Sequence, residues 1–205
     1  MAVLLCLTMK SKRAKPVAKR LGWRRLKTKI RFKNRVFKLR EDKLKLPGGK
    51  RKRLAYLERT DAVIIVPITG AGAMVLINQY RYSLDQWCLE VPAGGTHDKP
   101  NESLAEVARD ELREEVGGSC SALTYVDYLF SASSLTDEKC HVFLAENVVL
   151  SEHDREVGEK IQIKLMPVAK ALALVHRGEM KDGQCALAIL LCEPLLRKKG
   201  YLKTR

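Results

Sequence analysis

The chain predicts an α/β (α+β) fold: an α-β-α sandwich around a mixed sheet, with a small N-terminal β region ahead of it. Three observations carry this. Five short apolar runs separated by turn residues read as strands, at Val63 to Pro67, Met74 to Asn78, Leu123 to Phe130, His141 to Ala145 and Ile161 to Met166. One amphipathic helix interrupts them at Glu102 to Val116. Two further helical patterns follow, near Val168 to His176 and Ala186 to Leu196, so helices are expected on both faces of the sheet.

Taken in order, residues 1–33 read as a basic, flexible extension. Of the 38 Lys and Arg residues, 21 fall within residues 1–53, against only Glu41 and Asp42. Such a stretch can neutralise phosphates, and Trp23 can stack on a base, so residues 10–53 are a candidate nucleic-acid surface; a solvated tail or a targeting sequence fits the same composition. The apolar run Ala2 to Thr8 is too short to span a membrane, and basic residues follow it where a secretory signal would have them first. A soluble, cytoplasmic protein is expected, with organellar targeting by the arm as the alternative. Residues 34–60 read as strands separated by Pro47-Gly48-Gly49-Lys50, a hairpin signal. Residues 61–200 form the main domain, and 205 residues with 46% hydrophobic content suffice for one core. The six cysteines contain no CxxC pair and sit mostly in apolar runs, as reduced thiols do, and the four histidines show no zinc-ligand spacing.

The chemistry concentrates between Glu90 and Gly118. In the helix, Leu104, Val107, Ala108, Leu112 and Val116 recur on one side, while Glu111, Glu114 and Glu115 lie three and four residues apart on another. Three carboxylates on one patch repel unless a cation neutralises them, and oxygen donors of this kind suit Mg²⁺ or Mn²⁺. A solvated acidic face is the alternative.

The order CLEVPAG, acidic helix, Glu-Glu-Val-Gly resembles the box of the Nudix hydrolases, most closely that of ADP-ribose pyrophosphatases and nucleoside-diphosphate-sugar hydrolases. The resemblance extends over about Arg35 to Leu191 and departs from the pattern twice. Asp110 stands where the pattern has Arg, which adds a fourth carboxylate to the expected cluster, and the segment from Gly94 to Glu102 is two residues longer than the pattern. The resemblance implies a metal-dependent pyrophosphohydrolase that cleaves ADP-ribose or a related nucleoside-diphosphate sugar. Glu111 and Glu115 are the implied metal ligands, with Glu114 sharing or orienting a metal and the Ala93 carbonyl completing the site. Arg81, with Glu90, is placed at the substrate, as are Ser133 and Glu138 of the loop after the box, although Ser133 replaces the proline usual in ADP-ribose enzymes. The general base is expected in the acidic segment 151–159, with Glu159 first and Glu156 second. A homodimer built through residues 34–60 is also implied. Two other readings stay open: a catalytically impaired module binding nucleic acid through its basic arm, and an RNA 5′-end pyrophosphohydrolase.

Overall fold

The computed structural model describes residues 15–151 and 160–202. A short helix, α1 (Pro16–Arg20), leads into three antiparallel strands, β1 (Arg24–Lys33), β2 (Phe37–Lys45) and β3 (Arg51–Arg59), which form their own sheet in that order. The expected turn lies between β2 and β3, where Gly48 takes a positive φ of 74° that favours glycine. β1 corrects the sequence expectation, which placed these residues in the flexible extension. All ten are exposed and the pairing is interrupted by two register shifts, so no clean buried alternation marked the strand.

Register sorts the side chains of this sheet. Arg24, Lys45 and Arg51 lie opposite one another in one rung, and Lys27, Lys43 and Arg53 in the next. Six cations therefore share one end of one face. The opposite face carries Arg40, 6% exposed, which donates to Asp42, Glu58 and Thr28, flanked by exposed Ile30 and Leu54. β3 ties this sheet to the rest of the chain. The Leu57 N–H donates to the Leu135 carbonyl at 2.8 Å, and the Arg59 N–H donates to Asp137 Oδ1 at 3.0 Å.

The main sheet comprises β4 (Ala62–Thr69), β5 (Ala73–Arg81), β6 (Gln86–Glu90), β7 (Ala93–Gly95), β8 (Gly118–Ser119), β9 (Ala122–Phe130), β10 (Lys139–Leu150) and β11 (Ile161–Pro167). Its spine runs β11-β5-β4-β10-β8, and β6, β7 and β9 pair with β5, β4 and β10. The β4–β10 pairing is parallel and the others antiparallel, so the sheet is mixed as expected.

Burial on both faces explains the continuous apolar run of β4. Val63 and Ile65 point to one side, where they join Val107, Ala108, Leu112 and Val116 of α2 (Leu104–Val116). Ile64, Val66 and Ile68 point to the other, against α3 (Val168–His176) and α4 (Gly183–Lys198). This is the period-two alternation of a strand whose two sides both face helices. Among the described residues, no helix is long and apolar enough to cross a membrane.

Candidate active site

Two elements build the site. α2 begins two residues later than the periodicity suggested, because Ser103 and Glu106 form a reciprocal capping box that fixes its first turn. It ends at Gly117, whose φ of 64° closes the helix with bonds back to Arg113 and Leu112. Opposite lies β7, held antiparallel to β4 through Ile64–Ala93, Val63–Gly94 and Ala62–Gly95. Since α2 packs on Val63 and Ile65 of the same strand, its glutamates face the Pro-Ala-Gly-Gly turn.

Between them is a cleft of about 150 Å³, lined by Ala93, Gly94, Gly95, Glu111, Glu114 and Glu115, with Arg35, His97 and Asp98. Glu115, 8% exposed, accepts the Ala93 N–H at 3.2 Å. Glu111 lies directly over Gly94, so closely that a Cβ there would stand 2.1 Å from its carboxyl carbon. Burial pushes the Glu111 carboxyl up to about 7, against the opposing pull of Lys99. Lys99 itself enters from the loop before α2. Its Nζ is 3.2 Å from Glu111 Oε1 and 3.2 Å from Glu114 Oε2. Burial lowers the Lys99 pKa, but the two glutamates more than reverse this and hold it above the ordinary lysine value.

The expected convergence of carboxylates is therefore divided. Glu111 and Glu114 share an ammonium, while Glu115 turns to the backbone of the turn. Among the described residues, no three carboxylate, imidazole or thiol side chains are gathered tightly enough to hold a metal ion as they stand. Asp110 does not join the cleft. Its Oδ1 pairs with Arg113 Nη2 at 2.7 Å, because a residue one position before Glu111 projects about 100° around the helix. Arg109 is also turned away, donating to the carbonyl of Cys120.

Arg81 and Glu90 meet on the neighbouring strands β5 and β6. Glu90, 2% exposed, receives both the Nε and an Nη of Arg81 in a forked pair, the Nε–Oε1 distance being 2.9 Å. That pair raises the Arg81 pKa further, so the guanidinium is permanently charged. Ser133 is exposed in the loop before β10, and Glu138, 4% exposed, is bonded to Arg59 at 3.1 Å. Neither lines the cleft. Glu156 and Glu159 lie outside the described residues. Sequence reasoning missed Lys99, Arg35 and His97. The extra length of the Lys99 loop was visible, but nothing local in a loop says where its lysine points.

The fold and cleft define an α-β-α protein whose acidic helix faces a glycine turn across a groove lined by three glutamates. The chain belongs to the NUDIX domain family, whose model matches residues 58–185. It is 31% identical over 160 residues to the ADP-ribose pyrophosphatase of Bacillus subtilis, covering 77% of this chain and 85% of that protein. It is 25% identical over 170 residues to the ADP compounds hydrolase NudE of Escherichia coli, covering 82% and 90%. In three dimensions it is similar to a crystal structure of ADP compounds hydrolase, with a TM-score of 0.77, 24% identity and coverage of 88% and 97%.

Proposed function

We propose that the protein is a metal-dependent pyrophosphohydrolase that cleaves ADP-ribose, or a related nucleoside-diphosphate sugar, to a nucleoside monophosphate and a sugar phosphate. The observation that carries this reading is the approach of Glu111, Glu114 and Glu115 to the Ala93–Gly95 turn in one cleft that Arg35 also borders. Similarity to an ADP-ribose pyrophosphatase over 77% of the chain supports the substrate class.

The residues present fit a hard divalent cation. Their donors are carboxylate oxygens, and Glu111 and Glu114 already accept a cation in the form of the Lys99 ammonium. Glu111, Glu115 and Glu114, with the Ala93 carbonyl, would hold Mg²⁺ or Mn²⁺. Such an ion, when bound, neutralises the diphosphate and acidifies water. The chain's own groups do the rest. Arg81, held in place by buried Glu90, and Arg35 orient the anionic phosphates. Glu159, or Glu156 after it, takes the proton of the attacking water, whose oxygen joins phosphorus as the bridging P–O bond breaks. Ser133 offers a hydroxyl to the sugar, and Glu138 acts on the same loop through Arg59.

The chain is further proposed to act as a homodimer through its N-terminal sheet, where Ile30 and Leu54 leave 47% and 40% of their surfaces exposed. A second reading, nucleic-acid binding, is favoured by the six cations of the two adjacent rungs. One experiment separates these readings. Full-length protein is offered ADP-ribose, nucleoside-diphosphate hexoses and triphosphorylated RNA with Mg²⁺, Mn²⁺ or chelator, and phosphate release is measured after coupling. Metal-dependent turnover of one diphosphate sugar is expected. Inactivity of the folded protein on the whole panel, with salt-sensitive RNA binding, would replace this reading by the binding module.

A further inference from the structure

We propose that Lys99 is an internal counter-ion of the glutamate cluster, holding Glu111 and Glu114 in the metal-free protein and giving way when a divalent cation takes the same oxygens. The inference rests on the metal-binding reading of this cleft and concerns how the chain manages the cluster without a metal.

The geometry is specific. The Lys99 ammonium lies 3.2 Å from Glu111 Oε1, 3.2 Å from Glu114 Oε2 and 3.4 Å from Glu114 Oε1. Its side chain is 13% exposed and that of Glu111 12%, against 39% for Glu114, so the Glu111 half of the contact is enclosed and is screened by salt much less than an exposed pair. The other nearby cations do not do the same work. Arg113 is 66% exposed, is engaged at 2.7 Å with Asp110 and reaches only Glu114, at 3.6 Å. Arg81 is committed to Glu90. Lys99 is thus the cation that bridges two of the three cleft glutamates among the described residues.

Two consequences follow from electrostatics. Without Lys99, Glu111 is a carboxylate wedged over Gly94 beside another carboxylate, and the metal-free cluster repels itself. With Lys99 in place, a divalent ion that Glu111 and Glu114 would hold would have to compete with a positive charge already on their oxygens, which would weaken its binding. The same contact therefore stabilises the metal-free state and competes with the metal. It also accounts for the divided arrangement of the carboxylates, since two of them close on a group that has already supplied their charge.

The test uses the full chain, Lys99→Met and the pair Lys99→Met with Glu111→Gln. Thermal melting in chelator and calorimetric titration with Mn²⁺ are the readouts. Lys99→Met is expected to melt lower than wild type in chelator and to bind Mn²⁺ roughly tenfold more tightly, the scale on which a close opposite charge shifts an ionic equilibrium. Adding Glu111→Gln, which removes the charge left unpaired, is expected to recover most of the lost melting temperature. If wild type binds Mn²⁺ and Lys99→Met binds no tighter, or melts no lower in chelator, the counter-ion role is overturned while the metal reading stands. If neither folded protein binds Mn²⁺, both fall together.

Discussion

Gly94 controls where the Glu111 carboxylate rests, because any Cβ at position 94 would occupy that carboxylate's space. The obstructed group is the end of a flexible side chain, so it can swing aside without disturbing the sheet. Gly94→Ala is therefore expected to lower the melting temperature no further than loss of the Lys99 contact does, while lowering kcat on the order of 10²-fold, the penalty of a displacement of about 1 Å at a reacting centre. Steady-state kinetics beside a melting curve checks both halves. The thiols illustrate a different consequence of position. Burial pushes Cys140 and Cys192 up to about 12, from an ordinary value of 9.0. A thiol whose pKa is raised on folding contributes stability below its unfolded pKa and loses it as pH rises through the folded value. Alkaline destabilisation is expected between about pH 9 and 12. Cys192→Ala should show less of it when melting temperature is followed against pH.

For the elements, α2 gives the sharpest prediction. Ser103→Ala removes the side-chain half of the capping box and is expected to cost about 1 kcal/mol, read as a lower midpoint in denaturant with unchanged slope. This cap also shows what the sequence could and could not convey. Apolar periodicity marked the helix as starting near Glu102, and the cap delayed it to Leu104. β4, β5 and β10 were legible because their buried side chains leave an apolar record, and β9 and β11 kept enough apolar residues to be read although most of their side chains are exposed or half-buried. β6 closes a local hairpin with β5, and the three-residue β7, too short to show a period, is specified by β4 well upstream. The site divides in the same way. Glu111, Glu114 and Glu115 were legible because one helix fixes their spacing. Lys99 was not, since its role depends on the path of a loop, and Asp110 was misplaced because a carboxylate next in sequence was counted as next in space.

At the level of the whole molecule, the N-terminal sheet and the main domain are joined through the segment that follows β9. Leu57 and Arg59 of β3 bind Leu135, Asp137 and Glu138, so the loop carrying Ser133 is anchored by the N-terminal sheet. A dimer made through this sheet would thus be linked to the loop carrying Ser133 within each chain. Ile30→Glu places a charge on the exposed apolar flank of Arg40 and is expected to shift the protein to monomer in sedimentation equilibrium. A monomeric wild type would overturn the proposed dimer, and a dimeric wild type whose variant keeps the same mass would move the interface elsewhere.

The two cationic rungs of that sheet carry one further consequence. Like charges set directly across paired strands oppose the pairing, and Glu41, the acidic group nearest them on this face, is already held by Arg31 at 3.0 Å. Glu41 also feels the charge of Arg53, and dissolved anions would add to that counter-charge. Ionic strength, which loosens ordinary surface ion pairs, should here act as an adhesive: raising NaCl from about 0.01 to 0.15 M, which shortens the screening length from about 30 to 8 Å, should increase hydrogen-exchange protection of β1 and β2. On that outcome the buffer would act as a structural component of this sheet, contributing counter-charge beyond what the described residues of the sheet carry.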